Sequence, residues 1–170
     1  MTAAIVADAG PLIGLGKIGR LPLLQALYGT VLIPPRVHEE LRVGSGLPGA
    51  VAAGRAIVEG WLQVRRVADT VAVSRLLALV DGGEAEAIVL AHESAGGFLL
   101  VDDRRARDVA RRRGLSIVGT GGVLVAAKRK GLIEAVGPLL DELTGAGYRF
   151  SLELKNALLS LAGEAGIKEP

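Results

Sequence analysis

The sequence predicts a single α/β domain built on a central parallel sheet with helices on both faces. Three observations carry this. Short runs of Val, Ile, Leu and Ala recur along the chain, and those at 3–7, 31–33 and 98–101 stop at a proline or an acid. Helix-compatible stretches separate these runs, and strands alternating with helices belong to a parallel sheet covered on both sides. Finally, the 170 residues suit one domain, and half of them are hydrophobic, with only two Phe, two Tyr and one Trp. Aliphatic helices on a Val/Ile/Leu sheet fit that composition better than an aromatic-rich binding module.

Residues 3–7 form a short apolar run that ends at Asp8. A helix-compatible pattern follows over 11–27, broken near Gly19. Val31-Leu32-Ile33 reads as a buried strand closed by Pro34-Pro35. Proline in a first turn starts a helix, and 36–43 keeps Val37 and Leu41 one turn apart. Residues 44–49, rich in Gly, Ser and Pro, read as loop. Residues 61–67 alternate as an edge strand does. The stretch 84–95 is helical, and Gly96-Gly97 terminates it. Next, 98–101 is the continuous apolar run of a strand buried on both faces. An arginine-rich helix covers 104–112, a strand 115–118 and a helix 120–129. Two further helices occupy 134–144 and 151–162, joined by 145–150. No internal repeat or low-complexity linker is visible.

Composition removes several function classes. Cysteine is absent and the two histidines, His38 and His92, stand far apart. Disulfide frameworks, thiol nucleophiles and Cys/His zinc sites are excluded, and any metal must be a hard cation such as Mg²⁺ or Mn²⁺ held by oxygen. Mean hydropathy is +0.42, yet no apolar stretch approaches the roughly 20 residues that span a bilayer. The N-terminal residues have no basic lead and meet Asp8 early, so no signal peptide and a cytoplasmic location are expected. Net charge is +2, with a pI near 9.2; its distribution says more than its sum. Arg104, Arg105, Arg107, Arg111, Arg112 and Arg113 crowd one segment.

Parallel α/β sheets bind ligands outside the carboxyl ends of their strands. Asp8 directly follows the first strand, and Asp102 and Asp103 directly follow the most apolar one. Glu40 lies on the helix after the second strand, beside its buried stripe. Glu84 opens a helix behind Gly82-Gly83, where the helix dipole tolerates an anion. Several carboxylates in one place repel each other unless a divalent cation or shared protons relieve them. Such a cluster suits metal-assisted phosphodiester hydrolysis and needs neither histidine nor thiol. Local readings stay open for each acid. Asp8 also reads as a helix cap, and Glu40 as a solvated residue with Glu39 as its rival. Glu84 also reads as a first-turn charge, with Asp81 and Glu86 as rivals, and one of Asp102 and Asp103 as the cap of the arginine helix.

Together these stretches resemble PIN-domain proteins: Asp8-Ala-Gly-Pro-Leu-Ile-Gly-Leu, Val-Leu-Ile-Pro-Pro-Arg-Val-His-Glu-Glu-Leu (31–41), Gly-Glu-Ala-Glu-Ala-Ile-Val-Leu-Ala (83–91), Leu-Leu-Val-Asp-Asp-Arg-Arg-Ala-Arg (99–107) and Val-Gly-Thr-Gly-Gly-Val-Leu-Val-Ala-Ala-Lys (118–128). The resemblance is to the prokaryotic branch with Gly-Glu-x-Glu-Ala-Ile and Asp-Asp-Arg-x-Ala-Arg, and covers about 3–145. It implies a three-layer PIN-like domain over 1–145, with 146–170 as a C-terminal helical extension packed on it. It also implies an Mg²⁺- or Mn²⁺-dependent endoribonuclease, as in VapC-type toxins. The catalytic acids would be Asp8, Glu40, Glu84 and Asp103, and the metal ligands would come from Asp8, Glu84, Asp102 and Asp103. RNA and a second copy of the chain in a homodimer are the implied partners, since relatives commonly dimerise; toxin-type members also bind a small antitoxin protein that blocks the acidic groove. Two positions depart from the family pattern: Ala9 and Gly10 stand where Ser or Thr is common, and Glu84 stands where Asp is usual.

Arg104, Arg107 and Arg111 share a helix face and are candidate phosphate contacts, although Arg111–Arg113 also offset a helix dipole from its C-terminus. The resemblance gives Thr120 a role toward phosphate or water, while the local pattern makes it the cap of the following helix. Gly119-Thr-Gly121-Gly122 fails as a dinucleotide fingerprint because Leu124 occupies the third glycine position. His38 and His92 read as helix-surface residues and Trp61 as a packing anchor. The competing functions are a PIN-like RNA- or protein-binding regulatory module with weak catalysis, and a phospho-receiver domain. The second is disfavoured because the acid pair follows a late strand.

Overall fold

The computed structural model describes residues 4–166. Residues 1–3 and 167–170, parts of the expected first strand and C-terminal extension, lie outside the described residues. Within them, β1 (Ile5–Ala7), β2 (Val31–Ile33), β3 (Leu62–Val64), β4 (Phe98–Leu100) and β5 (Ser116–Val118) form one parallel sheet ordered β3-β2-β1-β4-β5. The helices are α1 (Ala9–Lys17), α2 (Pro22–Tyr28), α3 (Pro35–Leu41), α4 (Pro48–Val58), α5 (Thr70–Leu76), α6 (Gly82–Glu93), α7 (Arg104–Arg112), α8 (Thr120–Arg129), α9 (Gly137–Gly145) and α10 (Leu152–Leu161). The result is the three-layer α/β arrangement that the alternating pattern predicts.

Strands of three residues cannot hold a sheet by hydrogen bonds alone. Burial does it: every residue of β1 and β2 is buried, as are Leu99, Leu100 and Val101. A fully buried Leu, Ile or Val contributes roughly 1.5–3 kcal/mol relative to exposure. Strand β3 takes the edge place expected of residues 61–67, and Gln63 and Val64 are exposed there. Trp61 is buried against the core as expected, with its indole N–H donating to Glu59 Oε2 at 3.0 Å.

The strand order places the site. From β1 the chain crosses to β2 on one side, whereas β4 lies on the other side and continues outward to β5. Connections therefore leave the carboxyl ends of β1 and β4 in opposite directions, opening a crevice between them. Asp8 follows β1 and Asp102-Asp103 follow β4. Both stand at this switch point.

Helices α4 and α5 have no counterpart in the sequence expectations, and α4 takes in two residues of the expected loop 44–49. The reason is compositional. Helix α4 is rich in Ala and Gly, and its small residues serve close packing on α1 rather than a visible apolar stripe. A Cβ on Gly16 would stand 3.0 Å from the Gly49 backbone. Helix α5 is short, with a single start signal in Asp69, which accepts from the Ala72 amide at 2.9 Å. Helix α6 begins at Gly82, so Gly82 and Gly83 lie within its first turn rather than before it, and it ends at Glu93, ahead of Gly96-Gly97.

The C-terminal segment is laced onto the domain. The Tyr148 ring fills the space that a side chain at Gly14 would need, and Leu158 does the same over Gly121. Glu164 accepts from the Val136 and Gly137 amides at 2.8 and 3.0 Å, and from Lys128 Nζ at 2.9 Å. Among the described residues no helix is long and apolar enough to cross a membrane.

Candidate active site

Asp8 sits where β1 gives way to α1, and its backbone amide donates to Leu100 O at 2.9 Å, tying it to β4. It occupies the cap position of α1, but its side chain caps nothing. Oδ1 is buried without a hydrogen-bond partner. Burial chiefly raises the Asp8 pKa, to about 7; the Ala9 amide opposes this, and Glu84, Glu40 and Asp81 reinforce it. A buried carboxylate oxygen without a donor is costly in an apolar setting. Here it faces other acids.

Glu84 is buried on the first turn of α6. It forms a reciprocal capping box with Asp81: the Glu84 amide donates to Asp81 Oδ1 at 2.8 Å, and the Asp81 amide to Glu84 Oε2 at 3.1 Å. The Glu84 pKa is raised by burial and by Asp81, Asp103 and Glu40, with the Asp81 amide opposing. Glu40, more exposed on α3, is raised by burial and then by Asp81, with Arg36 opposing. It reaches the cluster because α6 carries no side chains at the contact. A Cβ at Gly83 would collide with the Glu40 carboxylate, and one at Gly82 with the Arg36 guanidinium. Arg36 is itself anchored, its amide donating to Glu86 Oε2 at 3.0 Å and its Nε lying 3.7 Å from Glu86 Oε1. Glu86 thus holds α3 in place.

The adjacent aspartates after β4 divide the work. Asp103 caps α7, accepting from the Ala106 amide at 2.9 Å, and it borders a cavity of about 350 Å³ with Asp81, Glu84 and Arg105. Asp102 accepts from the Thr120 amide (2.8 Å, Oδ1), the Thr120 hydroxyl (2.5 Å, Oδ2) and the Tyr148 hydroxyl (Oδ2). Burial and Asp102 push the Tyr148 phenol above its ordinary pKa.

The structure therefore brings Glu40 and Glu84 near enough to act on Asp8, sets Asp103 beside Glu84, and engages Asp102 with hydroxyls. The local reading of Thr120 as a helix cap is corrected: Gly119 holds the cap position of α8, and the buried Thr120 gives its hydroxyl to Asp102. Asp81, a rival to Glu84 in the sequence, belongs to the cluster. Its signal was the Asp-x-x-Glu spacing of a capping box. Tyr148 carried no local signal. Of the arginines, Arg104 and Arg111 are exposed, Arg111 pairs with Asp108 at 3.3 Å, and Arg105 lines the acidic cavity.

Among the described residues none of the ion pairs involves Asp8, Glu40, Glu84 or Asp103. Nor do three acid or histidine side chains, as placed, form a ready cage for a metal ion. Glu84 and Asp103 each spend an oxygen on helix capping. The donor set nonetheless fits a hard divalent cation: it is all oxygen, neighbouring acids raise the pKa of Asp8 and Glu84, and it includes the orphaned Asp8 Oδ1.

Among curated proteins and among solved structures, none matches the chain. A family model described as PIN domain matches residues 4–164, nearly the whole chain. The chain belongs to the PIN-domain family, whose domains are generally nucleases.

Proposed function

We propose that the protein is a metal-dependent endoribonuclease that hydrolyses RNA phosphodiester bonds. The observation that carries the reading is Asp8 Oδ1, buried without a donor among acids that enter no ion pair among the described residues. Asp8, Glu84 and Asp103 would hold Mg²⁺ or Mn²⁺. When bound, the cation offsets phosphate charge and acidifies water. Glu40, at the open rim, completes the ligand set or orients the attacking water and takes up its proton. Arg105, beside the acids, is placed to attract the phosphate backbone into the cavity. Exposed Leu77 and Leu79 on the same cavity give a protein inhibitor, such as an antitoxin, an apolar foothold next to the acids.

The test is cleavage of single-stranded RNA by the purified protein in Mn²⁺, in Mg²⁺ and in chelator. Cleavage with either metal is expected, none with chelator, and none for Asp8→Asn or Glu40→Gln in folded protein. Wild-type cleavage rates in those variants would sink the assignment. Metal-independent RNA binding without cleavage would favour a regulatory module. The capping bonds held by Glu84 and Asp103, and the lack of a hydroxyl at Ala9 and Gly10, support that second reading.

A further inference from the structure

We propose that Tyr148 is a positioning residue of this site: with Thr120 it pins Asp102, and through Asp102 it fixes the turn that presents Asp103. The inference rests on the metal-site reading above. Asp102 is a junction of three segments distant in sequence, with Thr120 18 residues away and Tyr148 46 away. Its two oxygens take the Thr120 amide, the Thr120 hydroxyl and the Tyr148 hydroxyl, and the two hydroxyls lie 3.2 Å apart. A carboxylate so held has little freedom, and neither has the backbone that bears it.

The next residue is Asp103, which starts α7 and borders the acidic cavity. Its placement therefore depends on a turn whose preceding side chain is fixed by α8 and by the C-terminal segment. Two parts of the Tyr148 side chain do different jobs. The ring fills the slot left open by Gly14, which is packing. The hydroxyl adds nothing to that packing, and its partner is Asp102. Removing the hydroxyl alone separates the roles.

The test is Mn²⁺ binding to the full chain by calorimetry, for wild type, Tyr148→Phe, Asp102→Asn and Asp8→Asn. Groups that orient a metal ligand typically contribute 10–100-fold to affinity. Tyr148→Phe is expected to weaken Mn²⁺ by about tenfold, with the thermal midpoint of the metal-free protein near wild type because the ring remains. Asp102→Asn should weaken it as well, and the double variant should lose less than the product of the two single losses. Wild-type affinity in Tyr148→Phe, with binding abolished by Asp8→Asn, overturns the positioning role and leaves the metal site standing. Failure of the wild type to bind Mn²⁺ overturns both.

Discussion

Asp8 and Asp102 end neighbouring strands of one sheet, and the fold treats them in opposite ways. Asp102 receives three donors on its two oxygens, while Asp8 keeps a buried oxygen with none. Each lies one residue beyond its strand or nearly so, and each precedes a helix. The difference comes from what the adjoining segments bring. Beside Asp102 stand the hydroxyls of Thr120 and Tyr148. Across from Asp8 stand Glu84, Glu40 and Asp81. The lesson is that an acid with all its donors supplied holds segments together, whereas a deprived one among like charges marks a candidate functional site.

That contrast can be broken most sharply at Asp8. Its folded-state pKa of about 7 stands above the ordinary 3.8. The folded state therefore holds a proton that the unfolded chain gives up, and metal-free stability falls as pH rises from about 4 to about 7. Asp8→Asn should relieve this cost above pH 7, by as much as about 4 kcal/mol, with no gain near pH 4. Urea unfolding at both pH values in chelator checks it; an equal effect at the two would refute the deprivation of Asp8. A cation held by Asp8 as proposed would displace that proton, so Mn²⁺ affinity should rise with pH through about 7, with proton release seen in calorimetry.

Asp102 should behave in the reverse sense. Asp102→Ala strands the Thr120 hydroxyl in the interior, and a loss of about 2–3 kcal/mol is expected in the same unfolding assay. A neutral result would mean that the three bonds contribute little.

The smallest effect sharpens the comparison at the rim. Arg105→Ala should weaken RNA binding and reduce the slope of log affinity against log salt by about 1. Arg111→Ala, paired with Asp108 and away from the cavity lining, should change the slope less. Equal slopes for the two variants would place the RNA path elsewhere.

Much of this was legible in the residues. Apolar runs stopping at Asp8 and Asp102 mark strand ends, because burial on both faces leaves no polar position until the chain exits the sheet. The arginine-rich helix is found within its true bounds, Arg104–Arg112, since charge and Ala/Val positions alternate clearly along it. Helix α4 escapes because Ala and Gly give no contrast between faces. At the site, Asp8, Glu84 and the Asp pair stand out through their places after strands or at a helix start. What stays hidden is whatever depends on distant approach. Nothing near Tyr148 announces Asp102. The glycines of α6 read as a helix boundary, yet their use is to admit Glu40 and Arg36.

The clasp made by Glu164 gives α10 a meaning beyond its own stability. One carboxylate gathers a lysine from α8 and two amides at the start of α9, so Tyr148 is tethered from both directions along the polypeptide. A protein clipped just before that glutamate would keep all the candidate site acids and still lose the far anchor of the strap beside them.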